Sequence, residues 1–209
     1  MVATISAKDV SLSELKEKFG LQLIEDEQFF REWMDDLPEI SEFEKQFLDQ
    51  VKASYFNLVE YPPMLETTVK MVVLSPLLHF AGFYMPPFHV KAESEIEISF
   101  EDEEETIIKG RIDVLVLKHQ FWVLVIESKR AQVSIETGLA QLLTYLLANP
   151  NSSQPSFGMI SNGRNFQFIK MIYQDLPQYA LSNSFDLRNR GNELYNVLKI
   201  MKRLAEIVR

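Results

Sequence analysis

Three charged residues interrupt two apolar stretches of this chain, and together they could hydrolyse a phosphate ester. Asp113 lies inside the first stretch, while Glu127 and Lys129 end the second. Residues two apart on a strand share a face, so the side chains of Glu127 and Lys129 are expected to lie side by side. If the two stretches pair as a hairpin about residues 118–120, Asp113 comes opposite the region of Glu127. Two carboxylates and one ammonium group would then converge.

The chemistry that this cluster suggests depends on a divalent cation. Carboxylate oxygens are hard ligands for Mg²⁺, and a bound Mg²⁺ polarises a phosphoryl oxygen and lowers the pKa of a bound water. Lys129 would orient or activate that water. A plainer interpretation is that Asp113 and Glu127 only end their strands and pair at the surface with Lys129 or Arg130. The spacing by itself leaves both interpretations open.

Hydrophobic periodicity predicts the elements that must position these residues. The predicted elements, in chain order, are helices opening at Ser11 and Ser41, a helix from near Met64 that Pro76 kinks or ends, strands 93–100, 107–117 and 121–129, a helix 134–148, strands 157–160 and 166–172, and a closing helix that contains Leu194 and Val208. This order indicates an α/β or α+β domain built on one central sheet. We expect residues 1–60 to form a helical N-terminal extension and residues 61–209 to form the domain that carries the site.

The candidate site residues belong to a longer series of motifs. G-x-x-D occurs as Gly110–Asp113, E-x-K as Glu127–Lys129 and Q-x-x-x-Y as Gln141–Tyr145, and Glu66 supplies an acidic residue on the preceding predicted helix. The series resembles the PD-(D/E)xK nuclease superfamily, and it is similar to RecB-like nucleases and to the N-terminal nuclease domain of type I restriction enzyme motor subunits. The resemblance covers roughly residues 60–172. An isolated E-x-K is common, whereas three motifs and an acidic residue, in order on suitable elements, are far more specific.

The resemblance implies a fold, a cofactor and a role for each motif residue. The fold is a restriction-endonuclease-like core in which helices flank a central mixed sheet. The cofactor is Mg²⁺, for which Mn²⁺ can substitute, held by Asp113, Glu127 and the carbonyl of Ser128. Lys129 would then lie near the attacking water.

The remaining motif residues have weaker assignments. Gln141 and Tyr145 are four apart and share one helical face, which the resemblance places beside the catalytic strand as part of the catalytic site. They could instead be a surface glutamine and a half-buried tyrosine. Glu66 is a further candidate metal ligand, but Glu60 competes for that role, and carboxylates are common in a first helical turn for other reasons.

Composition bounds the setting of this chemistry. The 209 residues include no cysteine, which excludes disulfides, thiolate metal sites and cysteine nucleophiles, and the most apolar stretch is broken by polar residues and prolines. We therefore expect a cytoplasmic protein without a membrane span. The formal net charge of −9 repels DNA at a distance, so we expect weak DNA binding unless a homodimer or a basic partner subunit of a restriction or repair complex assists. We also predict a small basic lining near the cleft, formed by Arg111, Lys118, Lys129, Arg130 and Arg164.

The sequence thus predicts a metal-dependent DNA endonuclease of the restriction type, in which Asp113 and Glu127 bind the metal and Lys129 assists the attacking water. Two alternatives stay open: a non-catalytic module of the same fold that binds DNA or assembles a complex, and a structural interaction protein that uses the helical N-terminus. All three site residues are present, which favours the enzyme because a degenerate nuclease would be free to lose one. The sequence has no Walker-type G-x-x-x-x-G-K-[ST] motif, so we expect no ATP-driven DNA translocation by this chain itself.

Overall fold

The computed structural model describes residues 3–62, 64–100, 106–151 and 153–208. Nine strands within these ranges form one sheet. The strands are β1 (Ala3–Ser6), β2 (Gln22–Leu23), β3 (Phe88–Phe100), β4 (Thr106–Lys118), β5 (Phe121–Ser128), β6 (Ser156–Ser161), β7 (Asn165–Tyr173), β8 (Pro177–Leu181) and β9 (Phe185–Asp186). The helices are α1 (Leu12–Phe19), α2 (Glu42–Val59), α3 (Glu66–Val69), a π-helical segment (Lys70–Leu74), α4 (Ser75–Phe80), a 3₁₀ turn (Ile135–Gly138), α5 (Leu139–Leu147) and α6 (Leu194–Ile207). None of the helices in the described part of the chain is long and apolar enough to cross a bilayer.

The sheet is mixed. Its main path runs β1-β4-β5-β6-β7-β8-β2, with β3 paired to β4 and β9 paired to β7. The pairs β1–β4, β2–β8 and β5–β6 are parallel, and the other pairs are antiparallel. Parallel neighbours need a crossover, and between β5 and β6 the 3₁₀ turn and α5 provide it. The predicted fold class, a central mixed sheet flanked by helices, is confirmed.

The side chains of the central strands pack alternately into two separate hydrophobic cores, one on each face of the sheet. Val116 on β4 and Leu124 on β5 pack on the face that α2, α4 and α6 cover. Leu115 and Val125 pack on the opposite face, beneath α1 and α5. Because both faces are covered, the central strands are apolar almost throughout, which makes their few charged residues conspicuous in the sequence.

The alternation breaks at Asp113. Ile112 and Val114 would share a face in a regular strand, yet they belong to the two opposite cores. In the β3–β4 pair, Ala92 is the partner of Val114 and Ser94 is the partner of Ile112, but Glu93 and Asp113 between them are not paired. Glu93 itself has a φ of 55°. A left-handed non-glycine residue is uncommon inside a strand. The chain is therefore irregular on both strands where Asp113 lies.

The first 60 residues differ from the predicted helical extension. The capping boxes that open α1 and α2 at Ser11 and Ser41 are both formed, as predicted. Two short strands were not predicted: β1 pairs in parallel with β4, and β2 pairs with β8. β1 and β2 span four and two residues, so any alternation in them is too brief to indicate a strand by itself, and β8 and β9 were not predicted either. The domain boundary after residue 60 stays a prediction.

The helix before the sheet does not end at Pro76. α3 passes through the π-helical segment into α4, and the N–H of Ser75 donates to the carbonyl of Lys70, five residues back. Proline lacks an N–H and crowds the carbonyl four residues before it, and a wider π turn relieves that crowding.

Candidate active site

The pairing of β4 has a gap, and the candidate site residues surround it. β3 pairs with β4 along one edge between Thr106 and Lys118. On the other edge, β1 pairs with residues 106–109 and β5 with residues 114–118. Among the described strands, residues 110–113 therefore have no strand partner on that edge. Their backbone has to be satisfied in another way.

Two side chains bridge the gap. The Tyr145 hydroxyl donates to the Arg111 carbonyl at 3.1 Å, and Asp113 Oδ2 accepts the Ser128 N–H at 2.7 Å. Pairing of β5 with β4 ends at Ile126, and Ser128 already pairs with β6. Asp113 thus ties β4 to the end of β5, beyond the last β5 residue that pairs with β4.

Glu127 is the most buried acid of the site. Its side chain is 3% exposed, and its Oε1 accepts a hydrogen bond of 2.7 Å from Lys129 Nζ. Burial, and then the charge of Asp113, raises the pKa of Glu127 to about 7, although Lys129 acts in the opposite direction. Its Oε2 is buried and has no hydrogen-bond partner. An unpaired buried carboxylate oxygen is costly, so a proton or a cation bound there would be strongly stabilised.

Lys129 is held by the helix that follows it. Its Nζ also donates to Gln141 Oε1 at 2.7 Å, and Gln141 Nε2 donates to the Tyr145 hydroxyl at 2.6 Å. Gln141 is 4% exposed and Tyr145 is fully buried, so neither is the surface residue of the plainer interpretation. Burial raises the pKa of Tyr145 to about 12, which keeps its hydroxyl a donor. A continuous chain of hydrogen bonds therefore runs from Glu127 to the open edge of β4.

Two glycines make room for this chain of contacts. A Cβ at Gly110 would lie 2.6 Å from Tyr145 Cε1, and a Cβ at Gly138 would lie 2.5 Å from Lys129 Cε. Gly110 belongs to the G-x-x-D motif and Tyr145 to the Q-x-x-x-Y motif. The two motifs are therefore parts of one packing contact, in which the absence of a side chain on β4 lets the tyrosine reach the strand.

Lys70, which the sequence analysis missed, lies on the other side of Asp113. Its Nζ is 2.8 Å from Asp113 Oδ1, 3.0 Å from Glu66 Oε1 and 4.0 Å from Glu93 Oε1. A signal for it was present: Lys70 is four residues after Glu66, so on a helix both face the same way. Glu93 also bonds Arg111 at 3.1 Å, on the same strand pair. No sequence pattern indicated that contact.

The charges around Lys70 shift the pKa values in different directions. Burial raises the pKa of Asp113 above its ordinary value, against the opposing effects of Lys70 and the Ser128 N–H. The pKa of Glu66 is lowered, because its hydrogen bonds, first of all to Lys70, outweigh burial. Hydrogen bonds to both acids likewise outweigh burial and raise the pKa of Lys70. Lys70 is thus a stable ammonium between two acids that differ in proton affinity.

The structure distinguishes the two competing glutamates of the helical region. Glu66 lies beside Asp113 through Lys70, whereas Glu60 is exposed at the C-terminal end of α2. Glu66 is therefore the acid of this region that could join Asp113 at a cation.

Of the predicted basic lining, Lys129 lies in the site and Arg111 beside it, whereas Arg164 and Lys118 are engaged elsewhere. Arg164 pairs with Asp186 at 2.6 Å, and Lys118 donates to the carbonyl of Val208 near the end of α6. Arg111 is close to the site but is neutralised by Glu93, as described above. These ion pairs and the contact at the end of α6 engage the basic side chains. A count of basic residues does not reveal such contacts. Lys70 and Lys129 are both held by acids of the site.

A divalent cation fits the donor chemistry of this site in part. The carboxylates of Asp113 and Glu127 supply hard oxygens on adjoining strands, and Glu127 Oε2 is buried without a partner. Within the described residues, however, no three acidic or histidine side chains converge at metal-binding distances. Lys70 and Lys129 each bond one of these carboxylates instead. The oxygens are suitable, and the ammonium groups hold part of the space that a cation needs.

Parts of this chain are similar to known proteins. A family model described as the type I restriction enzyme R protein N terminus matches residues 64–175. A fragment described as an HsdR subunit of a type I restriction enzyme from Vibrio vulnificus YJ016 is 18% identical over 68% of this chain, with a TM-score of 0.40. A crystal structure of SSO0001 is 13% identical, covers 85% of this chain and 82% of its own, and has a TM-score of 0.31. The chain spans 25% of the Vibrio fragment's length. No protein among the curated sequences matches this chain.

Proposed function

This chain belongs to the family of type I restriction enzyme R protein N termini, whose model matches residues 64–175, and on that premise we propose that it is a metal-dependent DNA endonuclease. The observation that carries the proposal is the meeting of Asp113, Glu127 and Lys129 at the gap beside β4. Glu127 Oε2 is buried there without a partner. A buried acid with an unused oxygen and a raised pKa is typical of catalytic sites.

The proposed roles follow from the contacts of each side chain. Asp113 and Glu127, with the Ser128 carbonyl, would hold Mg²⁺ or Mn²⁺, and Glu66 is the candidate fourth ligand. The bound cation would polarise the phosphoryl oxygen and make a water more acidic. The remaining roles fall to side chains of the protein.

Lys129 would position the attacking water and stabilise charge on the phosphate. Hydrogen bonds to Glu127 and Gln141 use two of the three N–H groups of its ammonium. The third is then free to point at a water or a phosphate oxygen. Tyr145 and Gln141 would act as positioning residues, since their contacts fix where Lys129 Nζ lies.

A cleavage assay tests the proposal. Supercoiled plasmid is incubated with the protein in Mg²⁺, in Mn²⁺ or in EDTA, and we expect nicking or linearisation only with a metal. Lys129→Ala should lose cleavage by a factor on the order of 10² to 10⁴ while keeping its fold. The matched control is Lys199→Ala, which removes a lysine that pairs with Glu39 far from the site. Equal cleavage by Lys129→Ala and wild type would reject the role of Lys129.

A second candidate function has one observation in its favour. The formal net charge of −9 opposes DNA binding by the isolated chain, and it suits a non-catalytic module that assembles with DNA through a basic partner subunit or a homodimer. Absence of metal-dependent cleavage, both alone and with the other subunits of a type I restriction complex, would favour this function.

A further inference from the structure

The ammonium of Lys70 lies between two carboxylates of the candidate site, with a third farther away. It lies 2.8 Å from Asp113 Oδ1 and 3.0 Å from Glu66 Oε1, with Glu93 Oε1 at 4.0 Å. Its side chain is only 20% exposed. A positive charge among three carboxylates relieves their mutual repulsion, which is also what a divalent cation would do there.

Lys70 and a divalent cation would compete for the same oxygens. Asp113 has two carboxylate oxygens: Oδ2 accepts the Ser128 N–H, and Oδ1 accepts Lys70 Nζ. A cation bound to Asp113 through Oδ1 cannot share that place with an ammonium group at 2.8 Å. Repulsion between the two positive charges adds to the steric conflict.

The protein has room for Lys70 to move. A cleft of about 400 Å³ lies beside it, between the helix that carries Lys70 and the strands β3 and β4. Lys70, Met71, Tyr84 and Asp113 are among its lining residues. A lysine has a flexible apolar stem, so it can lie against Met71 and Tyr84 while its ammonium reaches solvent or a phosphate.

From these contacts we propose that Lys70 is an internal counter-ion that occupies the cation-binding side of Asp113 and Glu66, and that a divalent cation binds only by displacing it. Lys70 is then a positioning residue: it holds the acids together before the metal arrives and lowers the metal affinity of the site. This inference rests on the proposed function, because it assumes that Asp113 is a metal ligand.

Metal affinity, not cleavage, is the measurement that tests it. Mn²⁺ is titrated calorimetrically into metal-free wild type and Lys70→Met at fixed pH and salt. Removal of the competing charge should tighten Mn²⁺ binding by about tenfold. Lys70→Arg keeps the charge, so it should bind Mn²⁺ no more tightly than wild type. If Lys70 only supports the structure of the site, Lys70→Met will instead bind Mn²⁺ equally or more weakly, and that result overturns the proposal.

A matched control separates this effect from a general change of charge. Lys199 is 22% exposed and pairs with Glu39, so Lys199→Met also removes one lysine from an ion pair. It should change Mn²⁺ affinity by less than about twofold, because neither Lys199 nor Glu39 belongs to the site and solvent screens exposed charges. If Lys199→Met tightens binding as much as Lys70→Met does, the displacement model is wrong.

Two further variants keep the outcome interpretable. Asp113→Asn in the same titration tests the proposed function: unchanged Mn²⁺ affinity would reject the metal assignment and the inference with it. Weaker binding by Asp113→Asn without tighter binding by Lys70→Met would reject the inference alone. If Lys70→Met fails to fold, Lys70→Gln removes the same charge with a polar side chain, and the same increase in affinity is expected.

Discussion

The site contains two acid–lysine pairs that look alike in chemistry and differ in origin. Glu127 and Lys129 come from one strand end, two residues apart, and their side chains are 3% and 16% exposed. Asp113 and Lys70 come from β4 and from a helix 43 residues earlier, and their side chains are 14% and 20% exposed. The first pair lies under α5, whereas the second borders an open cleft.

The two pairs also differ in how well their charges are compensated. Both oxygens of Asp113 accept hydrogen bonds, one from Lys70 and one from a backbone N–H. Glu127 has one oxygen paired and one unpaired. The carboxylate of Glu127 is therefore incompletely hydrogen-bonded in a buried place, whereas the carboxylate of Asp113 has a partner for each oxygen. Protonation of Glu127 should dominate the response of the protein's stability to pH.

The largest expected effect is the loss of stability that follows when the Glu127 carboxyl loses its proton. Its folded pKa is about 7, against an ordinary value of 4.5, so between these pH values the folded state holds more protons than the unfolded state. The free energy of unfolding of the metal-free protein should therefore fall as pH rises from 4.5 to about 7, and then level off. The total is on the order of 3 kcal/mol.

Urea denaturation in EDTA at pH 5 and pH 8 measures this loss. Glu127→Gln has no such proton to lose, so it should show a smaller decrease between the two pH values and exceed the stability of wild type at pH 8. Glu97→Gln, at an exposed acid that pairs with Lys109, is the control and should follow the wild-type profile. A wild-type decrease that persists in Glu127→Gln would mean that another group titrates in this range.

The next effect, on the position of Lys129, concerns Gly138. A Cβ at residue 138 would lie 2.5 Å from both Lys129 Cε and Ile160 Cδ1, and both are ends of side chains that can shift. Gly138→Ala should therefore fold, but it should displace Lys129 Nζ and lower cleavage by about tenfold. Gly158→Ala is the control, because the nearest atoms to its Cβ would belong to the Leu142 and Leu146 side chains, at 3.1 Å and beyond. That variant should lose some stability and keep its cleavage rate, and the opposite pattern would contradict the assignment.

The local pair explains why much of the site could be predicted. Glu127 and Lys129 follow from period-two geometry, and Gln141 and Tyr145 follow from one helical face, so each motif is set by local structure. Strands β3 to β7 and helices α5 and α6 were predictable for the same reason, since each is long enough to display its periodicity.

The long-range features could not be predicted in this way. Lys70 reaches Asp113 from a π-helical segment before Pro76, and nearby Glu93 has a positive φ inside β3. Pro76 signals a disturbance of the helix but not whether the helix ends, kinks or widens there, and the positive φ of Glu93 has no sequence signal. The short strands β1 and β2 are likewise set by pairing partners more than 80 residues away in the chain, such as Ile5 with Ile108. Tertiary contacts decide these features.

The smallest expected effect concerns Tyr145, which connects Gln141, the partner of Lys129, to β4, the strand that carries Asp113. Its hydroxyl accepts from Gln141 Nε2 at 2.6 Å and donates to the Arg111 carbonyl at 3.1 Å, at the gap in β4. Tyr145→Phe leaves both groups without that partner in a buried position, so the free energy of unfolding should fall by about 1 kcal/mol. Cleavage should fall only a few-fold, because Gln141 still holds Lys129 Nζ.

The control is Thr144→Val on the same helix, which removes a buried hydroxyl that bonds only the Ala140 carbonyl among the described contacts. Denaturation should show a similar loss of stability for both variants, and cleavage should fall for Tyr145→Phe alone. If both variants cleave at the wild-type rate, Tyr145 closes the sheet gap without positioning Lys129, and the two acid–lysine pairs work independently.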